Sequence, residues 1–169
     1  TYLRGEHEAL DRLARRFSTS RELTESAVVK RCDEYSALKR QEKGLIAGLN
    51  GYVSAELVAG AESVGKKLLI VRLLEGIDAG RLKDLAQSVS TAKGTLAALF
   101  SQTDGKLLYV LACGEGFPID MGELAAAVNG AIGGKGGGRG TLAQGMAQSV
   151  SGAKEAVEQV RYYLTQRLK

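Results

Sequence analysis

Only one of the 169 residues is proline, two are cysteine, one is histidine and none is tryptophan. Cys32 and Cys113 give no disulfide framework, and with His7 they are too few to ligate a structural zinc. No apolar run approaches the roughly 18 residues that a membrane span needs. No basic-then-apolar leader opens the chain, so no membrane segment and a cytoplasmic setting are expected. The scarcity of proline, without any three-residue period, excludes a collagen-like chain. Hydrophobic residues at 44% and charged residues at 25% exclude a disordered tail. The length allows one or two domains with a buried core.

Glycine is what the chain has in excess: 22 residues, nearly twice the usual share of about 7%. Seven of them fall between Gly133 and Gly145, in GGKGGGRGTLAQG. Charge is as uneven. The last 38 residues hold six Lys/Arg against two Asp/Glu, a net +4 that equals the excess of the whole chain. A basic segment beside clustered glycines suggests a surface facing a polyanion, and a solvated basic helix after a flexible link is the plainer alternative.

The first half reads as helix. Ala9, Leu10, Leu13 and Ala14 share one face, and Ser18-Thr19-Ser20 breaks the pattern with good N-cap chemistry. A long helix is expected from about residue 22 to 60, with Val28, Tyr35, Leu38, Leu45, Leu49 and Tyr52 at heptad spacing. A helix of that length reaches roughly 50 Å, so its stripe needs a partner helix or a second subunit. Gly44, Gly48 and Gly51 mark either close helix contact or a kink.

The second half changes period. Strands are expected at residues 67–74, 95–100 and 106–112, the last two joined by an Asp104-Gly105 hairpin turn. Asp78 and Asp120 look like N-caps of two helices, the latter with Glu123 in capping-box spacing. Residues 142–147 suit one more strand, and a final helix starts near Ser151. The fold class is therefore α/β (α+β): a long helical segment over 1–63, then a small βαββα(β)α sheet domain over 64–169. Helices are expected on one face of the sheet, and residues 133–145 as a glycine-rich loop.

Clustered glycines let backbone amides approach an anion, and Lys135 and Arg139 add charge. The stretch is no P-loop, because glycine follows Lys135 and a helix precedes it where a strand should. The same objection removes the dinucleotide fingerprint. A phosphate cradle and a mobile connector both remain.

The run Gly133-Gly134-Lys135-Gly136-Gly137-Gly138-Arg139-Gly140-Thr141-Leu142-Ala143-Gln144-Gly145 resembles a family signature. It is similar to the glycine-rich stretch, ending in Ala-Gln-Gly, of the DHH-associated domain that closes alanyl-tRNA synthetases and long-form alanyl-tRNA editing proteins. Many relatives have proline where Gly140 stands. Residues 1–10, with Tyr2-Leu3-Arg4-Gly5, resemble the last strand and following helix of an editing domain. The resemblance implies an accessory tRNA-binding and dimerisation domain, a homodimer through the long helix, and no membrane. It implies nucleic-acid contacts from Gly133, Gly134, Lys135, Gly136, Gly137, Gly138, Arg139 and Gln144. Arg161, Arg167, Lys169, Tyr162 and Tyr163 are weaker candidates.

In that family zinc and hydrolysis belong to an upstream editing domain with His-x-x-x-His and Cys-x-x-x-His pairs, which this chain lacks. No catalytic residue, metal or cofactor is therefore expected here. His7 is expected as a surface residue and the two cysteines as buried or half-buried fillers. The parent protein would be an aminoacyl-tRNA hydrolase or an alanyl-tRNA ligase. The alternative is the substrate-binding domain of a DHH-type phosphoesterase acting on nucleotides. That version typically ends its glycine run with histidine, where this chain has Arg139.

Overall fold

A computed structural model of the chain describes residues 2–115, 117–148 and 153–168, with the backbone alone over 2–4. Two compact units divide it, Thr1–Leu49 and Asn50–Lys169. Helix α1 (Tyr2–Arg16) and most of helix α2 (Thr24–Ala59) form the first. The segment over residues 2–5, expected as strand, is helical. Between the helices Ser18 takes φ 51°, and Arg21 reaches back to grip Asp11 through Nε at 2.9 Å and Nη2 at 2.5 Å. His7 is exposed as expected, with Nδ1 3.0 Å from the Arg21 guanidinium.

The heptad stripe of α2 is bare. Tyr35, Leu38, Leu45, Leu49 and Tyr52 are each more than half exposed. A Cβ at Gly44, Gly48 or Gly51 would meet nothing within 4 Å, so these glycines mark no close contact with a described residue. Cys32 is exposed, contrary to expectation, because α2 carries it where no described residue packs over it.

The second unit holds a six-stranded sheet in the order β1-β2-β3-β4-β6-β5. Its strands are β1 (Glu62–Val64), β2 (Lys67–Glu75), β3 (Thr95–Thr103), β4 (Lys106–Cys113), β5 (Lys135–Arg139) and β6 (Leu142–Ala147). Helices α3 (Ala79–Ser90), α4 (Met121–Ile132) and α5 (Ala153–Leu168) complete it; Ser151, the expected start of the last, lies outside the described residues. Strands β2 and β3 run parallel around α3, a βαβ unit, and every other pairing is antiparallel. Asp104 and Gly105 both take positive φ (47° and 71°), the type I′ geometry that a two-residue Asp-Gly hairpin requires.

Helices cover both faces, not one. On one face α4 and α5 pack over Leu69, Val71, Phe100, Tyr109 and Leu111; on the other α3 and Leu57 of α2 pack over Ile70, Leu99 and Val110. The cue was in β3, whose residues Thr95–Ser101 are all buried, as a strand covered on both sides must be. Ser101 is part of that burial. Its hydroxyl donates to the Ile77 carbonyl at 2.6 Å and accepts from the Ile77 N–H at 3.1 Å, holding the entry to α3. Ser101→Ala leaves both backbone groups unpaired, and urea unfolding should show a loss of about 1–3 kcal/mol.

Candidate nucleic-acid interface

The glycine stretch expected as a loop is a strand. β5 pairs along its whole length with β6 and forms the edge of the sheet. Glycine has poor strand propensity, which is why composition suggested a connector. Packing overrides propensity here. A Cβ on Gly138 would collide with the Leu142 carbonyl and Ala143, and one on Gly136 with the Gly145 backbone and the Tyr109 hydroxyl. One on Gly145 would stand 2.6 Å from the Lys135 carbonyl oxygen and the Tyr109 ring. These backbones come too close for any side chain.

Helix α4 fixes the strand at two points. At its start, Asp120 Oδ1 accepts from Gly122 N–H at 2.7 Å, the N-cap bond expected of it. Its Oδ2 accepts from the Gly140 N–H at 2.6 Å, and the Met121 N–H donates to the Gly140 carbonyl at 2.9 Å. These backbone N–H groups, Gly140 first, hold the Asp120 carboxyl below the usual aspartate range. Gly140 sits at φ +65°, which a proline ring forbids, and donates a proton that proline lacks. Glu123, three residues on, lies 3.5 Å from Arg167.

Toward the end of α4, Asn129 donates to the Gly136 carbonyl at 3.0 Å and accepts from the Tyr109 hydroxyl at 2.7 Å. Burial raises the Tyr109 pKa against the opposing effect of this bond, so the hydroxyl stays a donor. Gly133 then caps the helix at φ +61°, and Gly134 turns into β5.

The register sorts the candidates by face. Gly136 and Gly138 stand opposite Gly145 and Ala143, on the side of α4. Lys135, Gly137 and Arg139 stand opposite Met146, Gln144 and Leu142, on the other side. Directly opposed residues of an antiparallel pair share a face. Lys135, Arg139 and Gln144 are exposed there, with Met146 39% exposed beside them. A Cβ on Gly137 would meet nothing within 4 Å, so a notch of bare backbone separates the two cations. They lie four strand residues apart, about 13 Å. Neither makes an ion pair with a described residue. Beside them a groove of about 200 Å³ runs between the start of α3 and β6, floored by Leu108 and Val110.

The weaker candidates fare differently. Arg161 is held by the Glu62 carboxylate, by Glu158 at 3.3 Å and by the Val71 carbonyl at 2.9 Å, so it bolts α5 to the sheet. Arg167 lies near Glu123 and the Tyr163 hydroxyl. Tyr162 is 69% exposed, and Lys169 lies outside the described residues. Cys113 is buried, and burial with the nearby Asp120 charge raises its pKa, the reverse of what a nucleophilic thiol needs. Among the described residues no three His, Cys, Asp or Glu side chains gather as a metal site. No described helix is long and apolar enough to cross a membrane.

The DHHA1 domain family matches residues 65–166. The chain belongs to that family. The match begins at the β1–β2 turn and ends within α5, so it contains the glycine strand and its clamps. Alanine–tRNA ligases are among its relatives: that of Xanthomonas euvesicatoria is 33% identical over 78% of this chain, and that of Prochlorococcus marinus 32% over 78%. The chain spans only 15% and 16% of the length of these two. Among solved structures, the C-Ala domain of Aquifex aeolicus alanyl-tRNA synthetase is similar at TM-score 0.57 and 25% identity, over 62% of this chain and 97% of that one. A pGpG-specific phosphodiesterase from Vibrio gives a fainter likeness, at TM-score 0.42 and 13% identity.

Proposed function

We propose that this DHHA1 domain is an accessory tRNA-binding module of an alanyl-tRNA synthetase or alanyl-tRNA editing protein. It holds the tRNA body by its phosphate backbone on the open sheet face that carries Lys135, Arg139 and Gln144. One observation carries the reading: the β5–β6 register sets both unpaired cations and a polar amide on a single uncovered face. Such contacts position an RNA without reading its sequence. Gly134, Gly136 and Gly138 serve by packing, and Gly133 by ending α4; neither role needs the ligand. Any zinc-dependent hydrolysis belongs to another domain of the parent protein. The bare stripe of α2 pairs with the same stripe of a second copy.

The test is a salt titration of tRNA binding. Each neutralised phosphate adds roughly 0.7–0.9 to the log–log slope. Replacing Lys135 and Arg139 together by alanine should weaken binding and lower that slope by roughly 1.4–1.8. An unchanged slope would remove the assignment. Tighter binding of a free dinucleotide than of tRNA would favour a phosphoesterase substrate domain instead.

A further inference from the structure

We infer that Asp120 is a positioning residue, acting on the ligand through Arg139 and so resting on the binding reading above. A strand of glycines has no side chains to order itself, and glycine loses more backbone freedom on ordering than any other residue. The order of β5 must come from its neighbours. At the Arg139 end those are the backbone of β6, the Met121 N–H that holds the Gly140 carbonyl, and the Asp120 carboxylate, which ties the N–H of Gly140, the residue after Arg139, to the first turn of α4. One carboxylate thus does two things: it caps α4 and pins the hairpin tip. Gly122 belongs to the same device, since a Cβ there would stand 2.5 Å from the Gly138 carbonyl oxygen and push the strand off the helix. With the tip pinned, the Cα of Arg139 is fixed on the open face before any ligand arrives, and that ordering cost is not charged to binding.

This role opposes the one that charge alone assigns. A carboxylate near a phosphate-binding arginine repels the ligand, so its removal should tighten binding. As a clamp, its removal should weaken binding. The two readings differ in sign.

Asp120→Asn separates them. Asparagine is as good an N-cap as aspartate, so the helix start survives. Its amide carries an NH2 where aspartate has its second oxygen, however, so with the oxygen on Gly122 no acceptor faces the Gly140 N–H. The Gly140 N–H is expected to lose its protection from hydrogen exchange while the thermal unfolding midpoint moves little. Affinity for tRNA should fall several-fold, with a salt slope lower by up to about 1, the share of one cation. Asp120→Ser, an equally ranked cap with a shorter reach, should behave alike. In an Arg139→Ala background Asp120→Asn should add nothing, because the arginine it positions is gone. Binding as tight as wild type, or tighter, would overturn the inference, as would an equal loss in the Arg139→Ala background. A wild-type protein that shows no salt-dependent tRNA binding would instead bring down the functional reading, and this inference with it.

Discussion

Gly138→Ala is expected to destabilise the second unit by roughly 3 kcal/mol, the upper part of the range for overpacking, while Gly137→Ala, one residue away, changes stability by less than about 0.5 kcal/mol. The two glycines share a strand, and both are exposed. They differ in what a Cβ would meet: the Leu142 carbonyl and the Ala143 backbone at Gly138, open solvent at Gly137. Backbone cannot step aside as a flexible side chain can, so the methyl at 138 must lift β5 off β6. The Asp120–Gly140 bond would then be lost as well, coupling the defect to the cap of α4. Gly136→Ala belongs with 138, because the Gly145 backbone and the Tyr109 hydroxyl occupy its space. Parallel urea unfolding of the three variants decides the matter. Equal effects at 137 and 138 would contradict the packing account.

Replacing Leu38 and Leu45 by lysine is expected to turn the proposed dimer into a monomer. Both are 64% exposed, on a stripe that also holds Tyr35, Leu49 and Tyr52. In a two-fold pair each leucine is buried twice, and full burial of one such side chain contributes about 1.5–3 kcal/mol. Losing even half of that burial raises the dissociation constant by more than about a hundredfold. Lysine adds repulsion across the axis. Sedimentation equilibrium at several concentrations reads this directly, and the second unit should keep its unfolding transition, because neither leucine belongs to its core. A wild-type chain that stays monomeric at high micromolar concentration would refute the pairing.

Most elements were legible because their signals are local. Asp78 and Asp120 cap helices through the N–H groups two or three residues on, and Asp104-Gly105 makes the hairpin turn that its pair of residues demands. The long helix follows from its heptad spacing. What escaped depends on distant backbone. The three residues of β1 are too few for a pattern. The second covered face follows only from the parallel β2–β3 pairing around α3. The glycine strand was hidden because its reason lies in Tyr109, Gly122, Ala143 and Gly145, residues that only the folded sheet brings beside it. Of the site, Lys135, Arg139 and Gln144 were named from sequence, but that they share a face needed the register. The sequence marks Asp120 as a cap alone, since its second oxygen meets a partner 20 residues away.

The alternation along β5 divides two kinds of constraint between neighbouring residues. Positions 136 and 138 are closed to any side chain, whereas 135, 137 and 139 project where the fold asks nothing of them. Side chains can therefore change there without toll on folding, and Gly137 is the emptiest of these sites. Arginine or serine introduced there would place a third polar side chain midway between Lys135 and Arg139, on a frame already held in place. The edge strand is a ready place to retune what the domain holds.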